Sequence, residues 1–413
     1  MLCTYSTYVY IEILLVFYLY HNTTKQTNTI PSNESGTTKT HKKKKRSSKS
    51  FVFSFSIQKI LIQTHTKMIS RLASISRRTL FTPLTRSVAT RIDGKAIGDD
   101  ICKEIALEVP ALEKELGRKP GLAVVIVGGR KDSQTYVKMK EKKANECGFK
   151  SVKQDLPEDT TEDTLLGLVS ELNRDPTIDG ILVQLPLPDH IDQKTVLEAI
   201  SIGKDVDGFH PHNVGALVRC GESLRQRREA FHGIANAPCT PLGCLELVDR
   251  VGIDLNGKHV VILGRSNIVG LPAAIMCLHK NATVVMCHSR TKDIQAECLR
   301  ADVIIAAIGQ PEFVKGDWIK EGATIIDVGV NFKDDPSRKS GQRMCGDVDY
   351  KAAREVAGAI TPVPGGVGPM TIAMLMKNTL VNAKLALNQK VEGGQDAKGN
   401  WVIGPRSSLF EPQ

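Results

Sequence analysis

Residues 259–270 read HVVILGRSNIVG, and this stretch decides the fold. Its first five residues are mostly apolar and β-branched, which predicts a short strand buried on both faces. Gly264 follows the strand and permits a tight turn, and Gly270 opens a helix whose first N–H groups can approach a phosphate. The spacing differs from the usual Gly-x-Gly-x-x-Gly pattern. The stretch therefore predicts a dinucleotide site, with a strand–helix turn that binds no ligand as the alternative.

The next predicted strand, residues 283–287, ends without an acidic residue. It is followed by His288-Ser289-Arg290. NAD enzymes usually place Asp or Glu at this point to bind ribose hydroxyls, whereas arginine pairs with a 2′-phosphate through charge-assisted hydrogen bonds. Arg265 and Arg290, with Ser289 as a further donor, therefore favour NADP over NAD. A solvated Arg290 without a ligand is the alternative interpretation.

The alternation of strands and helices continues on both sides of this motif. Helices are predicted at residues 99–117, 133–147, 161–173, 242–251, 270–280, 294–300 and 369–387, and strands at residues 122–127, 180–185, 259–263, 283–287, 303–308 and 324–330. Repeated strand–helix–strand units predict parallel sheets with right-handed crossovers, which places the chain in the α/β class.

Two domains are expected from this pattern. Residues 92–239 and 365–388 form a catalytic domain onto which the last helix returns, residues 240–364 form a Rossmann-like nucleotide-binding domain, and residues 389–413 are a polar tail. Ligands of open α/β sheets bind beyond the carboxyl ends of the strands, so the cleft between the domains is the expected site.

The basic character of the chain lies in its first 90 residues. They contain 14 of the 55 Lys and Arg residues but only two of the 45 acids, so the rest of the chain holds 41 basic and 43 acidic side chains. A nucleic-acid-binding protein would carry its positive charge on the folded part, so no nucleic-acid partner is expected. The apolar run at residues 8–20 contains Glu12 and is too short for a membrane span, so no membrane partner is expected.

Residues 68–90 have the composition of a mitochondrial transit peptide. They contain four Arg, several Ser and Thr and no acid, which predicts import into the mitochondrial matrix, with an ordinary basic tail as the alternative. Residues 1–67 include the basic cluster 42–46, a weak nuclear-address motif, and lack a signal-peptide cleavage site. Because a complete transit peptide starts at Met68, we expect translation to begin there.

The ten cysteines are scattered along the chain and form no CxxC pair, and Cys239 and Cys244 are five residues apart. This spacing argues against both a metal site and a disulfide framework. It is typical of reduced, mostly buried thiols in a matrix or cytosolic protein.

Three polar residues of the first domain are candidates for chemistry. Tyr136 and Lys140 are four residues apart on a predicted helix and share a face, so the ring can stack on a planar substrate while the lysine transfers protons. Gln184 ends a buried strand, and its amide can both donate and accept. The simpler interpretations are a solvated, Lys-rich helix face and an amide that caps a loop.

Two loops supply further candidates. Asp207, in the sequence Asp205-Val206-Asp207-Gly208, either accepts hydrogen bonds from a heterocycle or belongs to an ordinary Asp-Gly turn. Residues 361–370 read TPVPGGVGPM, which is too rigid and apolar for a linker. The glycines allow bare backbone to approach a ligand, and a structural hinge is the alternative.

These stretches together resemble the bifunctional methylenetetrahydrofolate dehydrogenase/methenyltetrahydrofolate cyclohydrolase family, in its mitochondrial form. They follow the family's order over residues 92–388, and six motifs in order are much more specific than any one alone. The motifs are YVKMK at 136–140, VQLPLP at 183–188, KDVDG at 204–208, PCTP at 238–241, GRS with IVG within 264–270, and TPVPGGVGPM at 361–370.

The resemblance implies tetrahydrofolate substrates, NADP or NAD as cofactor, and a homodimer built through the cofactor domain. The enzyme would oxidise a folate-bound methylene group and hydrolyse the methenyl product to formyltetrahydrofolate. Lys140 would be the catalytic proton-transfer residue, assisted by Gln184, and Tyr136 would stack on the folate. The remaining implied positions are Asp207, Pro364, Gly365 and Gly366 for the substrate, and Gly264, Arg265, Ser266, Ile268, Gly270, Ser289 and Arg290 for the cofactor.

Two features depart from the family's pattern. Residues 220–237 are longer and less familiar than the family's connection, and Leu242 stands where the family usually has lysine. Both concern local structure beside the expected site. Two other functions compete with this one. The first is a monofunctional NAD(P) dehydrogenase, against which the pairing of Tyr136 with Lys140 argues, and the second is an RNA-binding protein, against which the near-neutral body argues.

Overall fold

The structure is a computed structural model that describes residues 88–219, 236–338 and 341–392. The expectations for the leader up to residue 87, for residues 220–235 of the unfamiliar connection and for the tail beyond residue 392 lie outside the described residues. The predicted end of the leader at residue 90 is too late, because Thr90 already pairs with Ala359 in a parallel sheet. Among the helices of the described part, none combines the length and the apolar composition that a bilayer crossing requires.

The described residues form strands and helices in alternation. The strands are β1 (Thr90–Arg91), β2 (Gly121–Val127), β3 (Lys150–Leu156), β4 (Gly180–Val183), β5 (His259–Leu263), β6 (Thr283–Cys287), β7 (Val303–Ala306), β8 (Thr324–Asp327), β9 (Asn331–Asp334), β10 (Gln342–Cys345) and β11 (Ala359–Ile360). The helices are α1 (Gly94–Leu116), α2 (Lys131–Glu146), α3 (Glu162–Arg174), α4 (Gln193–Glu198), α5 (Pro211–Arg219), α6 (Cys239–Arg250), α7 (Gly270–His279), α8 (Ile294–Arg300), α9 (Tyr350–Ala353) and α10 (Val367–Glu392), with a 3₁₀ turn at Gly316–Trp318.

The strands form two parallel sheets and one antiparallel hairpin. The larger sheet has the order β1-β11-β8-β7-β5-β6, and the smaller sheet has the order β3-β2-β4. Every pairing within these two sheets is parallel, whereas β9 and β10 pair antiparallel. The expected α/β class is confirmed, and β5 of the larger sheet is the strand with which the predicted nucleotide motif begins.

Strands β2 and β5 are buried on both faces, as their continuous apolar runs predict. Neighbouring side chains of a strand point to opposite faces, so Val124 and Val125 of β2 belong to two different core clusters. The cluster of Val124 also contains Val260 of β5 and residues of α1, α6 and α10. One continuous core therefore joins a face of each sheet.

The last helix packs as the sequence predicts. Helix α10 lies against α1, α2 and strands β2 and β4 of the smaller sheet, and also against α6. Met370, Met374 and Leu380 are buried along it. After the strands of the larger sheet, the chain therefore returns to pack beside its first helix, α1, and the smaller sheet.

Several elements were not predicted from the sequence. Strand β3 reads KSVKQDL and is only half-buried at the edge of its sheet, so it lacks the apolar run that marks a central strand. The strand predicted at 324–330 ends at Asp327, because residues 331–334 leave the sheet and pair with β10. The strand predicted at 180–185 ends at Val183.

Candidate active site

Helix α2 presents Tyr136 and Lys140 on one face, one turn apart. The Lys140 side chain is buried at 6% exposure although it carries an amine, and Tyr136 is half-buried against the core. The Nζ atom lies 5.4 Å from the centroid of the tyrosine ring. Lys138, two residues earlier, is exposed. The interpretation of this helix face as a solvated lysine surface is therefore wrong for Lys140.

Gln184 lies directly beyond the end of β4 and contacts Lys140. Lys140 Nζ donates to Gln184 Oε1 at 2.9 Å, and Gln184 Nε2 donates to Leu185 O at 2.8 Å. The second bond orients the amide, so its oxygen faces the lysine. The backbone N–H of Gln184 donates to Val125 O at 2.8 Å, which ties the residue to the central strand β2.

The Asp207 side chain is the nearby negative charge. Burial lowers the pKa of Lys140, while Asp207 and Cys239 raise it. Burial raises the pKa of Asp207 to about 6, with Lys140 opposing the shift and Asp205 reinforcing it. Among the described residues, no side chain or N–H group donates a hydrogen bond to the Asp207 carboxylate. A lysine whose pKa is lowered by burial thus lies near a carboxylate that accepts no hydrogen bond from the described residues and can accept one from a ligand.

The turn in this loop is made by Asp205, and Asp207 is not needed for it. Asp205 accepts from Gly208 N at 3.0 Å, from His210 N at 2.8 Å and from Asn213 Nδ2 at 2.9 Å. Gly208 has φ +72°, and a Cβ there would lie 2.4 Å from Asn236 O. The interpretation of this sequence as an ordinary Asp-Gly turn therefore applies to the side chain of Asp205 and not to that of Asp207.

Residues 361–370 form a backbone wall beside Tyr136. The Tyr136 hydroxyl donates to Gly368 O at 3.3 Å. Gly365 has φ +104°, and a Cβ at Gly94, the first residue of α1, would lie 2.0 Å from Gly366 O. The close approach of the two backbones explains the glycines. Pro364 is exposed at the same bend.

The turn after β5 closes only because it contains glycine at both ends. Gly264 has φ +111°, and a Cβ there would lie 2.2 Å from Ala307 O, while a Cβ at Gly270 would lie 2.2 Å from Gly264 O. Ser266 Oγ accepts from Val269 N at 3.2 Å and from Gly270 N at 3.4 Å, which caps α7. In the described part of the chain, the backbone N–H groups of residues 265–268, Ile268 included, have no partner. Four successive unpaired donors in the turn that leads into a helix suit a phosphate.

The side chains proposed for the 2′-phosphate lie at one edge of the larger sheet. Leu263 and Cys287 are paired in register, and Gly264 N donates to Cys287 O at 2.9 Å, so Arg265, Ser289 and Arg290 all follow adjacent strand ends. All three are exposed, and within the described residues their side chains make no hydrogen bond or ion pair. The edge is positively charged and contains no carboxylate in residues 287–290.

Two residues beside the site were not singled out from the sequence. Asn378 Nδ2 donates to Val206 O at 2.8 Å and to Ala237 O at 3.1 Å, and Cys239 Sγ donates to Val206 O at 3.2 Å. Burial raises the pKa of Cys239, so it stays a thiol. Together they hold the chain before Asp207. The Pro-Cys-Thr-Pro motif was a signal for Cys239, but Asn378 lies in an apolar helix with no signal of its own.

The departure at Leu242 has a local explanation. Residues 239–242 form the first turn of α6, and Leu242 is buried in the core, where an apolar side chain fits. The eight cysteines of the described residues are all buried and free.

Two family models match the chain. The tetrahydrofolate dehydrogenase/cyclohydrolase catalytic domain matches residues 92–207, and the NAD(P)-binding domain of the same family matches residues 238–387. Bifunctional protein FolD 2 of Arabidopsis thaliana is 55% identical over 293 residues, which cover 71% of this chain and 95% of the relative. Bifunctional protein FolD 4, chloroplastic, from the same organism is 52% identical and is covered over 79% of its length, against 71% of this chain.

Solved structures agree with these matches. The N5,N10-methylenetetrahydrofolate dehydrogenase-cyclohydrolase of Trypanosoma brucei, complexed with NADP cofactor and inhibitor, has a TM-score of 0.67 and 44% identity, over 72% of this chain and 98% of that one. The bifunctional FolD methylenetetrahydrofolate dehydrogenase/cyclohydrolase of Campylobacter jejuni has a TM-score of 0.65 and 46% identity, over 72% and 99%.

Proposed function

Because this chain belongs to the tetrahydrofolate dehydrogenase/cyclohydrolase family, and so is a bifunctional enzyme of one-carbon folate metabolism, we propose that one site around Lys140 carries both reactions. The first oxidises 5,10-methylenetetrahydrofolate to the 5,10-methenyl cation. The second adds water to that cation and yields 10-formyltetrahydrofolate and a proton. The observation that supports a shared site is the bond of buried Lys140 to Gln184, beside the Asp207 carboxylate.

Tyr136, Asp207 and the wall bind the folate in this proposal. The ring of Tyr136 stacks on the pterin, since aromatic faces favour offset stacking. The Asp207 carboxylate accepts hydrogen bonds from the N–H and amino groups of the pterin, which are matched donors. Pro364, Gly365 and Gly366 bring backbone, without bulky side chains, against the rest of the folate.

Lys140 transfers the proton in the hydrolytic step. Water attacks the methenyl carbon, and the neutral amine of Lys140 accepts the proton that the water loses. That proton then passes to the ring nitrogen N5 as its bond to the carbon breaks, and the hydroxyl proton of the adduct leaves to solvent as the formyl C=O forms. Burial and the cationic substrate both disfavour a charged lysine, so the free amine is available as a base. Gln184 holds the amine in place through the 2.9 Å hydrogen bond.

NADP is the cofactor that best fits the turn after β5. The unpaired N–H groups of residues 265–268 and the start of α7, from Gly270, suit the diphosphate. Arg265, Ser289 and Arg290 supply two positive charges and a hydroxyl for a 2′-phosphate. When bound, NADP supplies the acceptor for the hydride that the methylene group loses. The chain's part is to orient the methylene carbon towards it.

The proposed cofactor choice predicts the effect of Arg265→Ala. The variant should raise the KM for NADP about 10- to 100-fold, since a hydrogen bond to a charged group contributes roughly 1.5–3 kcal/mol. The KM for NAD should change little. Dehydrogenase assays of the purified protein with methylenetetrahydrofolate and each cofactor measure both values. Arg354→Ala, which changes an exposed arginine outside this edge, is the control. Equal losses with NADP and NAD would show that Arg265 does not bind the 2′-phosphate.

The homodimer is proposed to form through the β9–β10 hairpin. Phe332 and Met344 are paired in register and are 60% and 37% exposed, and Val330 just before them is 60% exposed. Lys333 and Arg343 form the adjacent cross-strand pair. Lys333 Nζ and Arg343 Nη2 each donate to a carboxylate oxygen of Glu312 at 2.6 Å. The hairpin is thus held to the body by its charged side chains while its apolar ones face outward. A two-stranded hairpin with free edges is marginal alone, so a second copy is a suitable cover.

Phe332→Asp should therefore convert the dimer into a monomer, because the substitution places a charge in the centre of the apolar patch. Sedimentation velocity at micromolar concentration measures the change. Leu107→Asp is the matched control, since Leu107 is 82% exposed on α1 and lies outside the hairpin. A dimer that survives Phe332→Asp, or one that Leu107→Asp disrupts equally, would exclude the hairpin as the interface.

Residues 68–90 are proposed to direct import into mitochondria, on the basis of their Arg, Ser and Thr content and lack of acids. A plastid is the competing destination, since one relative is named as chloroplastic. Microscopy of a fusion of residues 1–90 to a fluorescent protein separates the two. N-terminal peptides upstream of Met68 in the purified protein would contradict initiation at Met68.

A further inference from the structure

Two buried carboxylates lie beneath the carboxyl ends of β7 and β8. Asp327 ends β8 with 3% exposure, and Asp347 follows β10 with none. Within the described residues, neither forms an ion pair with a lysine or arginine. Burying a carboxylate without a counter-ion is costly unless hydrogen bonds compensate it. The N–H groups that donate hydrogen bonds to these two carboxylates therefore indicate their structural role.

The Asp347 carboxylate accepts hydrogen bonds from three successive residues of the loop after β7. Its Oδ2 accepts from Ile308 N at 2.7 Å and Gly309 N at 3.0 Å, and its Oδ1 accepts from Gln310 N at 2.9 Å. Asn331 Nδ2 supplies a fourth bond at 2.8 Å. Three successive N–H groups of the loop after β7 thus converge on one carboxylate, and this fixes the loop's conformation.

Asp327 links Asp347 to the backbone wall formed by residues 361–370. It accepts from Asp347 N at 2.9 Å and Val348 N at 3.0 Å, and its own N–H donates to Thr361 Oγ1 at 2.8 Å. Thr361 is the first residue of the wall. A Cβ at Gly346 would lie 1.8 Å from Asp327 Oδ2, so only glycine admits this carboxylate. One chain of hydrogen bonds therefore runs from the loop after β7 to the wall.

The loop that Asp347 holds packs against the turn after β5. Ala307 O occupies the space beside Gly264, where a Cβ would lie only 2.2 Å away, and Ala307 N donates to Leu263 O at 2.8 Å. A shift of the loop by an ångström would therefore displace Gly264 and the N–H groups that follow it. The position of the proposed phosphate site depends on the loop, and the loop depends on Asp347.

We propose that Asp347 is a positioning residue for the cofactor: it fixes residues 308–310 against the Gly264 turn, and Asp327 joins this support to the substrate wall at Thr361. The inference rests on the proposed function. Asp347 touches neither substrate nor cofactor in this scheme. Its removal should weaken the reaction that uses NADP and spare the reaction that does not, because hydrolysis takes place in the folate site around Lys140 and does not use the cofactor.

The test compares Asp347→Asn with Asp349→Asn. The amide of asparagine turns an NH₂ group towards two of the four donors, whereas Asp349 only caps α9 through Ala352 N, a role that asparagine also performs. For Asp347→Asn we expect the KM for NADP to rise at least tenfold, with cyclohydrolase activity on supplied methenyltetrahydrofolate within about twofold of the unchanged protein. Asp349→Asn should alter neither. Equal loss of both activities would mean that Asp347 supports only folding, and an unchanged KM would mean that it does not position the cofactor site.

A second variant covers the case in which Asp347→Asn does not fold. Asn331→Ala removes one of the four bonds and leaves the backbone pairing of β9 with β10 intact. It should raise the KM for NADP about threefold and leave hydrolysis unchanged, and no change in that KM overturns the inference. Both activities are first measured on the unchanged protein. Their absence there would refute the proposed function, whereas normal activities there with no selective loss in the variants would refute this inference alone.

Discussion

Lys140→Met should lower cyclohydrolase activity by roughly 10²–10⁴-fold while dehydrogenase activity stays measurable, since this is the range that a positioned general acid–base contributes. Hydride transfer depends mainly on the orientation of the methylene carbon and the nicotinamide, which the folate and cofactor contacts provide. Hydrolysis also requires proton transfer, which is the role proposed for Lys140, a buried residue bonded to Gln184. Methionine has a similar length but no amine, so the substitution removes the base with little change in volume.

The accumulation of methenyltetrahydrofolate measures this separation directly, because the methenyl product absorbs light and persists when hydrolysis stops. Lys138→Met is the matched control, since Lys138 is on the same helix but is exposed on another face. It should leave both rates nearly unchanged. Intact hydrolysis in Lys140→Met, or equal damage by Lys138→Met, would remove Lys140 from the mechanism.

Asp207→Ala should weaken folate binding about 10- to 100-fold and impair both reactions together, because both use the same bound pterin. Isothermal titration with a folate measures binding, and the KM for folate in each assay should rise in parallel. Asp189→Ala changes an exposed aspartate beyond β4 and serves as the control. Unchanged folate binding in Asp207→Ala would show that another group holds the pterin.

The pKa of Asp207 gives this prediction a second readout. Burial raises it to about 6 from the ordinary 3.8, so the carboxylate takes up a proton and loses acceptor capacity as the pH falls below that value. Folate affinity should fall over the same range. The effect on folding stability has the opposite sign. Because burial disfavours the charged carboxylate, ionisation of Asp207 lowers the free energy of unfolding as the pH rises above 4. Asp207→Asn should therefore raise the thermal midpoint at pH 7 while it lowers folate affinity.

The sequence predicts the central strands and the helices well, because both carry strong periodic signals. Strands β5 and β6 and helix α8 have the predicted bounds. Strand β3 and the β9–β10 hairpin were missed for one physical reason. Both are partly exposed and mix charged with apolar residues, so neither carries the apolar run or the regular alternation that predicts a strand.

The contacts within the site also differ in how far the sequence predicts them. Tyr136 and Lys140 share a helix face, so their proximity follows from a spacing of four residues. The contact of Lys140 with Gln184 joins residues 44 apart, and the choice between Asp205 and Asp207 depends on which carboxylate the backbone of the turn uses. Asp327 and Asp347 were not singled out from the sequence, because the N–H groups that each carboxylate binds come together only when the chain has folded.

The register of β1 limits where the proposed transit peptide can be cleaved. Thr90 and Arg91 pair with Ala359 and Ile360, and the N–H of Ala89 donates to Arg354 O at 2.8 Å. A peptidase that trims the precursor before residue 88 leaves these bonds intact. A cut after Arg91 would remove the outermost strand of the larger sheet and leave β11, which immediately precedes the wall, as a bare edge. If the proposed transit peptide is cleaved, the cut must therefore lie upstream of Ala89, a narrower stretch than the composition of residues 68–90 alone defines.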